Sequence, residues 1–296
     1  MYKLAVCGSL LFFCMATALM AASPFTWTEG HNGEWQLTEK GKPVYTYHAG
    51  VQTHPDAPKE RARCCYVYPA YTPSGVSPLD DFPKDHWHHR GIHWAWPVVE
   101  ANGKSNDHWL IDGIRNVTDA PVRVEAKNNM AVLHASSQWI TDAGEKLVQE
   151  HVTITTNPTM GKARELDFQI TLEALSAPVT IRGTRTEGKS YGGFNARFAP
   201  RENTMIRTNK GLLEKENDDF TNYEWAEMEA TYQGRRAALR ITADPKNLYA
   251  PHQWCLRHYG YIGASFPGKT KDVDGYTLRP GKPLTLRFRV QLRDVD

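Results

Sequence analysis

From about residue 25 onward the sequence consists of short runs of β-branched and aromatic residues, apolar and polar positions alternating at period two, with Gly, Pro, Asn and Asp between the runs. Helical periodicity is nearly absent, which removes helical bundles and alternating βαβ folds from consideration. The clearest runs cover residues 64–69, 92–99, 121–126, 131–140, 146–156, 165–175, 223–232, 235–243 and 283–292. In 146–156, Val148, Glu150, Val152, Ile154 and Thr156 alternate with Leu147, Gln149, His151, Thr153 and Thr155, so one face is largely apolar and the other wet. That alternation predicts antiparallel sheet. With no fixed-period repeat and no Gly/Ser linker, residues 23–296 are expected to form a single domain, a large antiparallel β-sandwich with few short helices.

Two stretches break the pattern. Residues 69–91 hold several prolines and read as a long irregular loop, and such loops in compact domains commonly carry function. Residues 100–119 read similarly, and contain His108 and Trp109. Aromatic residues make up 11% of the chain, enough for a well-filled core, a ring-lined binding face, or both. The formal net charge of +2 supplies no basic excess for a nucleic-acid partner, so none is expected.

Residues 1–22 carry a single charge, Lys3, then an apolar run from Leu4 to Met20 and a small-residue exit at Ala21, Ala22 and Ser23. This is the pattern of a cleaved secretory signal peptide, and it predicts a secreted or periplasmic protein with no membrane partner after cleavage. The competing reading, a membrane anchor, is weakened by Gly8, Ser9 and Thr17 within the run. Cleavage leaves Cys64, Cys65 and Cys255. Adjacent residues on a strand point to opposite faces, so at most one of Cys64 and Cys65 could pair with Cys255, and three small buried hydrophobes is the simpler expectation.

Candidate chemistry concentrates in Asp85-His-Trp-His-His-Arg-Gly-Ile-His-Trp-Ala-Trp96, with four of the twelve histidines and three of the nine tryptophans. Imidazole titrates near neutrality and binds metal when neutral, so this run supplies both acid–base groups and ligands. A four-histidine metal site on one continuous element is sterically poor. Two ligands from among His86, His88 and His93 with outside partners is the feasible version; the cofactor is otherwise open, a divalent metal being the candidate. Trp94 and Trp96 are expected in the core, and Trp87 in the site as a surface on which a sugar ring packs. Glu187, in a Gly-rich turn, is a candidate base. The segment Pro251 to Gly260 contributes His252, Trp254 and Arg257 as candidate substrate contacts.

The order of Tyr68-Pro-Ala-Tyr-Thr-Pro-Ser-Gly, Asp85-His-Trp-His-His-Arg-Gly, Glu187-Gly, Gly192-Gly-Phe-Asn-Ala-Arg, Asp244-Pro-Lys-Asn, Trp254-x-x-Arg-x-Tyr-Gly and Leu278-Arg-Pro-Gly-Lys-Pro-Leu-Thr-Leu-Arg-Phe-Arg resembles a bacterial family labelled "methane oxygenase PmoA", over almost the whole mature chain. The label sits poorly with a β-rich sequence, since the methane monooxygenase subunit of that name is helical. The resemblance implies a galactose-mutarotase-like super-sandwich and work on saccharides, because members often neighbour carbohydrate-degrading proteins. By position it places functional residues at His88, His89, Arg90, Glu187, Trp254 and Arg257. The sequence departs from the family at Ala243-Asp244-Pro245, at Cys255, and at Gly183 to Thr186.

The expectation is an exported protein acting on a small-molecule or oligosaccharide substrate by acid–base chemistry, whether hydrolysis, lyase cleavage or epimerisation. His88 or His89 would move the proton, Glu187 would complement it, and Arg90, Trp87, His252, Trp254 and Arg257 would bind substrate. The alternatives are a noncatalytic carbohydrate-binding protein and a His-ligated metal-dependent lyase or oxidase.

Overall fold

The computed structural model describes residue 1 and residues 23–127, 129–269 and 274–296, so the signal-peptide expectation lies, Met1 apart, outside the described residues. Among those residues every regular element is a strand except two single 3-10 turns, His31–Gly33 and Lys59–Arg61. All strand pairings are antiparallel, as the alternation predicts.

The strands form three sheets. A nine-stranded sheet runs Phe25–Glu29, Glu34–Glu39, Lys42–His48, Tyr66–Ala70, Ile92–Ala95, Gly193–Arg197, Tyr261–Ser265, Gln253–Arg257 and Asn217–Asp218. A ten-stranded sheet includes the long strands Met130–Thr141, Lys146–Thr156, Ala163–Ala174, Arg235–Ala243 and Leu284–Asp294. A small sheet joins Tyr276–Leu278, Val179–Arg182, Val98–Ala101 and Lys104–Asn106, so the stretch 100–119 is more regular than its sequence indicates.

Rings from the two large sheets meet between them. Phe194 stacks on Phe288 with centroids 4.4 Å apart and meets Phe168 edge-on at 5.2 Å, and Trp94 reaches Phe168 at 6.4 Å. Each such pair adds about 0.5–1.5 kcal/mol beyond the area it buries. Trp94 and Trp96 are core residues, 4% and 1% exposed. The apolar face of Lys146–Thr156 is buried as expected, including its one acid, Glu150, which accepts hydrogen bonds from Ser137 Oγ (3.1 Å), Asn116 Nδ2 (3.2 Å) and Trp139 Nε1 (3.0 Å).

Because strand residues alternate between faces, the core residues of the nine-stranded sheet fix what its other face carries. On Ile92–Ala95, Ile92 and Trp94 point into the core, leaving His93 and Ala95 outward. On Gln253–Arg257, Trp254 and Leu256 pack inward, leaving Cys255 and Arg257 outward. Tyr261 joins Ala95, Trp109 and Cys255 in a small separate apolar cluster on the outer side. The long loop crosses this face before re-entering the sheet at Gly91, where a Cβ would collide with the Val67 carbonyl, so only glycine permits the close approach.

The cysteines are small buried residues as expected, but the arrangement of Cys64 and Cys65 differs. Cys65 has φ of 64°, which breaks strand alternation, and the Cys64 and Cys65 sulfurs lie 3.3 Å apart instead of on opposite faces. All three cysteines are buried and free, Cys255 on the outer face.

Candidate functional site

A cavity of about 200 Å³ opens on the outer face of the nine-stranded sheet. Its floor is the hairpin that carries Cys255, Arg257 and Tyr261. The loop supplies His86, His88 and His89, and Trp109, Leu110, Lys189, Tyr191 and Tyr259 close the walls.

The imidazoles are held by stacking. The His86 ring lies parallel to His89 at 4.7 Å and to Tyr259 at 5.4 Å, and His89 stacks in turn on Tyr261 at 5.2 Å. His88 stands edge-on to His89 at 4.5 Å. A backbone bond from His89 N to His86 O at 2.8 Å turns the chain so that these neighbours converge, which an extended strand could not do. His86 Nδ1 donates to Asp85 Oδ2 at 2.9 Å, and Arg197 holds the same carboxylate through both oxygens at 2.7 and 2.8 Å. Arg257 is anchored by Asp219 Oδ1 at 2.6 Å.

Burial, reinforced by the positive field of Arg63, His86 and other neighbours, pushes His88 down to about 3. Burial and the neighbouring histidines hold His89 well below the imidazole range. Both rings are therefore neutral at pH 7, with lone pairs able to accept a proton. Burial raises the Tyr259 phenol to about 12 and the Cys255 thiol to about 12, so the phenol keeps its proton as a donor and the thiol is no nucleophile. No Asp or Glu lines the cavity, and its cations are Lys189 and Arg257.

Of the residues predicted from sequence, His86, His88, His89 and Arg257 meet in this cavity. The others do not. Arg90 is fully buried outside it, donating to the carbonyls of Trp87 (2.9 Å), His89 (2.6 Å) and Arg61, with its guanidinium 3.4 Å over the Phe82 ring. It clamps the loop and does not line this cavity. Trp87 is half-buried and faces His54, ring centroids 5.6 Å apart, away from the cavity. Trp254 is 0% exposed, its indole donating to the Tyr223 carbonyl at 2.7 Å, because it occupies the core-facing register of its strand.

His252 is 1% exposed between Phe266 and Phe288, with neither ring nitrogen bonded. Glu187 stands exposed in its turn, and it is Lys189, two residues on, that reaches the cavity. Replacing Glu187 by alanine is expected to leave turnover within about twofold of wild type; a loss of a hundredfold would restore it as the base.

The metal expectation fares no better. His93 lies beneath His89 with ring centroids 6.0 Å apart and its Nδ1 on the Arg90 carbonyl at 3.0 Å. Among the described residues no three His, Cys, Asp or Glu side chains are arranged to hold a metal ion. Sequence reasoning missed Tyr259 and Tyr261 as site residues. The available signal was their spacing in the hairpin, two and four residues beyond Arg257.

His252 makes a separate prediction. Burial lowers it to about 4, against about 6.5 in the unfolded chain. Between those values the unfolded state binds the extra proton, so the proton-linked cost of this histidine is near zero at pH 7.5 and grows progressively as pH falls. His252→Phe is expected to gain roughly 2–3 kcal/mol on wild type between pH 7.5 and 4.5. Denaturant unfolding at both pH values checks this, and a pH-independent difference would refute it.

The chain falls in the class of all-β antiparallel sandwiches, here with an imidazole- and tyrosine-lined cavity on the outer face of one sheet. Within that class, residues 34–296 match a family of unknown function, DUF6807, and the chain belongs to that family. No curated protein matches the sequence. Among solved structures it is similar to a galactose mutarotase related enzyme from Lactobacillus acidophilus, at 9% identity over 92% of this chain and 99% of that one, with a TM-score of 0.38. It is similar also to a GalM/aldose epimerase homologue from C. elegans, at 8% identity over 93% and 100%, with a TM-score of 0.37. Likenesses this distant carry no argument about the chemistry, and the fold is read from the strands themselves.

Proposed function

We propose that this protein is an exported enzyme that moves a proton on an acidic saccharide, by elimination or epimerisation at the carbon beside a sugar carboxylate. The observation that carries the reading is the composition of the cavity: neutral imidazoles, protonated tyrosines and two cations, with no carboxylate. Glycoside hydrolysis in its usual form needs two carboxyl groups about 5–9.5 Å apart across the scissile bond, and no pair lines this cavity. The hydrolase alternative is therefore the weakest of the three. The volume is below the ~300–1,000 Å³ of drug-sized pockets, which suits one sugar ring at the reacting position. The residues 1–22 support export.

Arg257 and Lys189 would hold the substrate carboxylate, and their charge makes the adjacent C–H more acidic. The His88 ring, which no described group hydrogen-bonds, would take that proton. A bound carboxylate opposes the cations around His88 and raises its basicity toward neutrality when substrate is present. In elimination the C–H electron pair forms the new C=C bond, the C–O bond opposite breaks, and the departing oxygen takes the Tyr259 proton. In epimerisation the carbon is reprotonated from its other face.

A panel of uronate-containing oligosaccharides and their carboxyl-reduced counterparts tests this, read by near-ultraviolet absorbance of the unsaturated product and by proton exchange with solvent. Turnover confined to the acidic members is the expected result. Equal turnover of both sets would remove the carboxylate from the mechanism. Binding without turnover would favour the second reading, a saccharide-binding protein, which the ring walls of Trp109, Tyr191, Tyr259 and Tyr261 also suit.

A further inference from the structure

Neighbouring residues on a strand point to opposite faces, and Cys64 and Cys65 do not. Their sulfurs lie 3.3 Å apart, in direct contact. The cause is Cys65, whose φ of 64° is a left-handed conformation that a residue with a Cβ adopts at a cost. Such an outlier persists only where the surrounding structure holds it. Here Cys65 N donates to the His48 carbonyl at 2.6 Å, Cys65 Sγ lies 3.9 Å from Thr118 Oγ1, and Cys64 Sγ donates to the Asn116 carbonyl at 3.4 Å. His48 belongs to the nine-stranded sheet, and Asn116 and Thr118 to Ile114–Thr118, a strand of the ten-stranded sheet. The pair therefore stands where a strand of each large sheet comes close.

Cys255 stands apart. It packs with Ala95, Trp109 and Tyr261 and lines the histidine cavity. The three thiols of residues 23–296 thus divide into one juxtaposed pair and one separate group.

We propose that Cys64 and Cys65 are a modification site, joined as a disulfide between neighbouring residues when the chain matures in an oxidising compartment. The compartment rests on the export in the proposed function; the saccharide chemistry plays no part. Bond formation brings the sulfurs about 1.3 Å closer, from 3.3 Å to the ~2.0 Å of an S–S bond, with the turn that aligns them already in place. Both residues are buried in the folded chain, so the oxidant reaches them before folding or through transient opening.

The oxidant is a small-molecule disulfide. One cysteine thiolate attacks it, forming a mixed disulfide and releasing one small thiol; the second cysteine then displaces the other. The chain gives up two electrons and two protons, and both end on the two small thiols. Adjacent Cα atoms lie about 3.8 Å apart, short of the ~4.4–6.8 Å of ordinary disulfides, which places this bond in the strained, more easily reduced class.

The test uses the mature protein, residues 23–296, which lacks Cys7 and Cys14. It is equilibrated with glutathione, the oxidised form in roughly tenfold excess, in urea just below the unfolding transition so that buried sulfurs exchange. Remaining thiols are then alkylated in full denaturant and the chain is cut with trypsin. Cleavage after Arg63 and Lys84 leaves Cys64 and Cys65 together on peptide 64–84, with Cys255 on peptide 247–257.

The expected result is peptide 64–84 unalkylated and lighter by two hydrogens, with Cys255 alkylated, and full alkylation of all three once dithiothreitol is added first. Cys255→Ser is expected to give the same light peptide. Alkylation of both Cys64 and Cys65 without reductant, glutathione retained on either, or a bond from either to Cys255 would each overturn the proposal. Because the buffer supplies the oxidant, export is judged separately: a pair that closes in this buffer but carries free thiols in protein taken from cells counts against export, and the pairing stands.

Discussion

Replacing His88 by alanine is expected to lower turnover by about 10²–10⁴-fold, the range for loss of a positioned proton-transfer group, while saccharide affinity changes by less than about fivefold. The reason lies in how the cavity divides its work. In the proposed reaction Arg257 and Lys189 would hold an acidic sugar by their charge, the rings would form the walls, and His88 would take the proton. Removing it deletes the base and leaves the attractive contacts in place, so kcat falls and KM holds. His89 is the poorer choice for this test, because its ring is stacked between His86 and Tyr261 and its loss would disturb both. If His88→Ala binds a saccharide as before and wild type turns none over, the protein is a binder and the acid–base reading fails.

Trp254→Ala is expected to cost 3–5 kcal/mol of stability, the range for deleting a large buried ring, with no specific effect on KM at temperatures where the variant is folded. Trp254 is fully buried beneath the sheet that supports the cavity, and its indole N–H satisfies the Tyr223 carbonyl, which alanine would leave unmatched. Denaturant unfolding measures the loss, and substrate titration of the folded variant measures the rest. A variant of near wild-type stability that no longer binds saccharide would return Trp254 to the site.

The contrast between Trp254 and Arg257 shows what the sequence made legible. Period-two alternation marks which residues share a strand face, and it separated the two faces of Lys146–Thr156 correctly, Glu150 included. It does not say which face meets the core when both carry large side chains, as on Gln253–Arg257, where Trp254 and Leu256 went in and Cys255 and Arg257 stayed out. The histidine cluster was visible as a composition anomaly. The turn that brings His86, His88 and His89 together was not, since it depends on a backbone bond within the loop.

Arg90 illustrates a related limit: an arginine beside histidines attracts a substrate role by its chemistry, whereas its length lets it fold back onto the carbonyls of Trp87, His89 and Arg61. Strands such as Glu34–Glu39 and Lys42–His48 are hard to read from sequence because Pro, Lys and Glu dilute their alternation, although pairing with neighbours still recruits them.

The floor and the roof of the histidine cavity differ in how they can change. Cys255, Arg257 and Tyr261 sit on paired strands whose opposite-facing neighbours are core residues, so inserting or deleting one residue there would turn core outward and site inward together. The walls that come from the loop and from the turn bearing Lys189 carry no such penalty. Lengthening those segments would therefore reshape the mouth of the cavity, while Arg257 and Tyr261 beneath them stay fixed by the strand pairing.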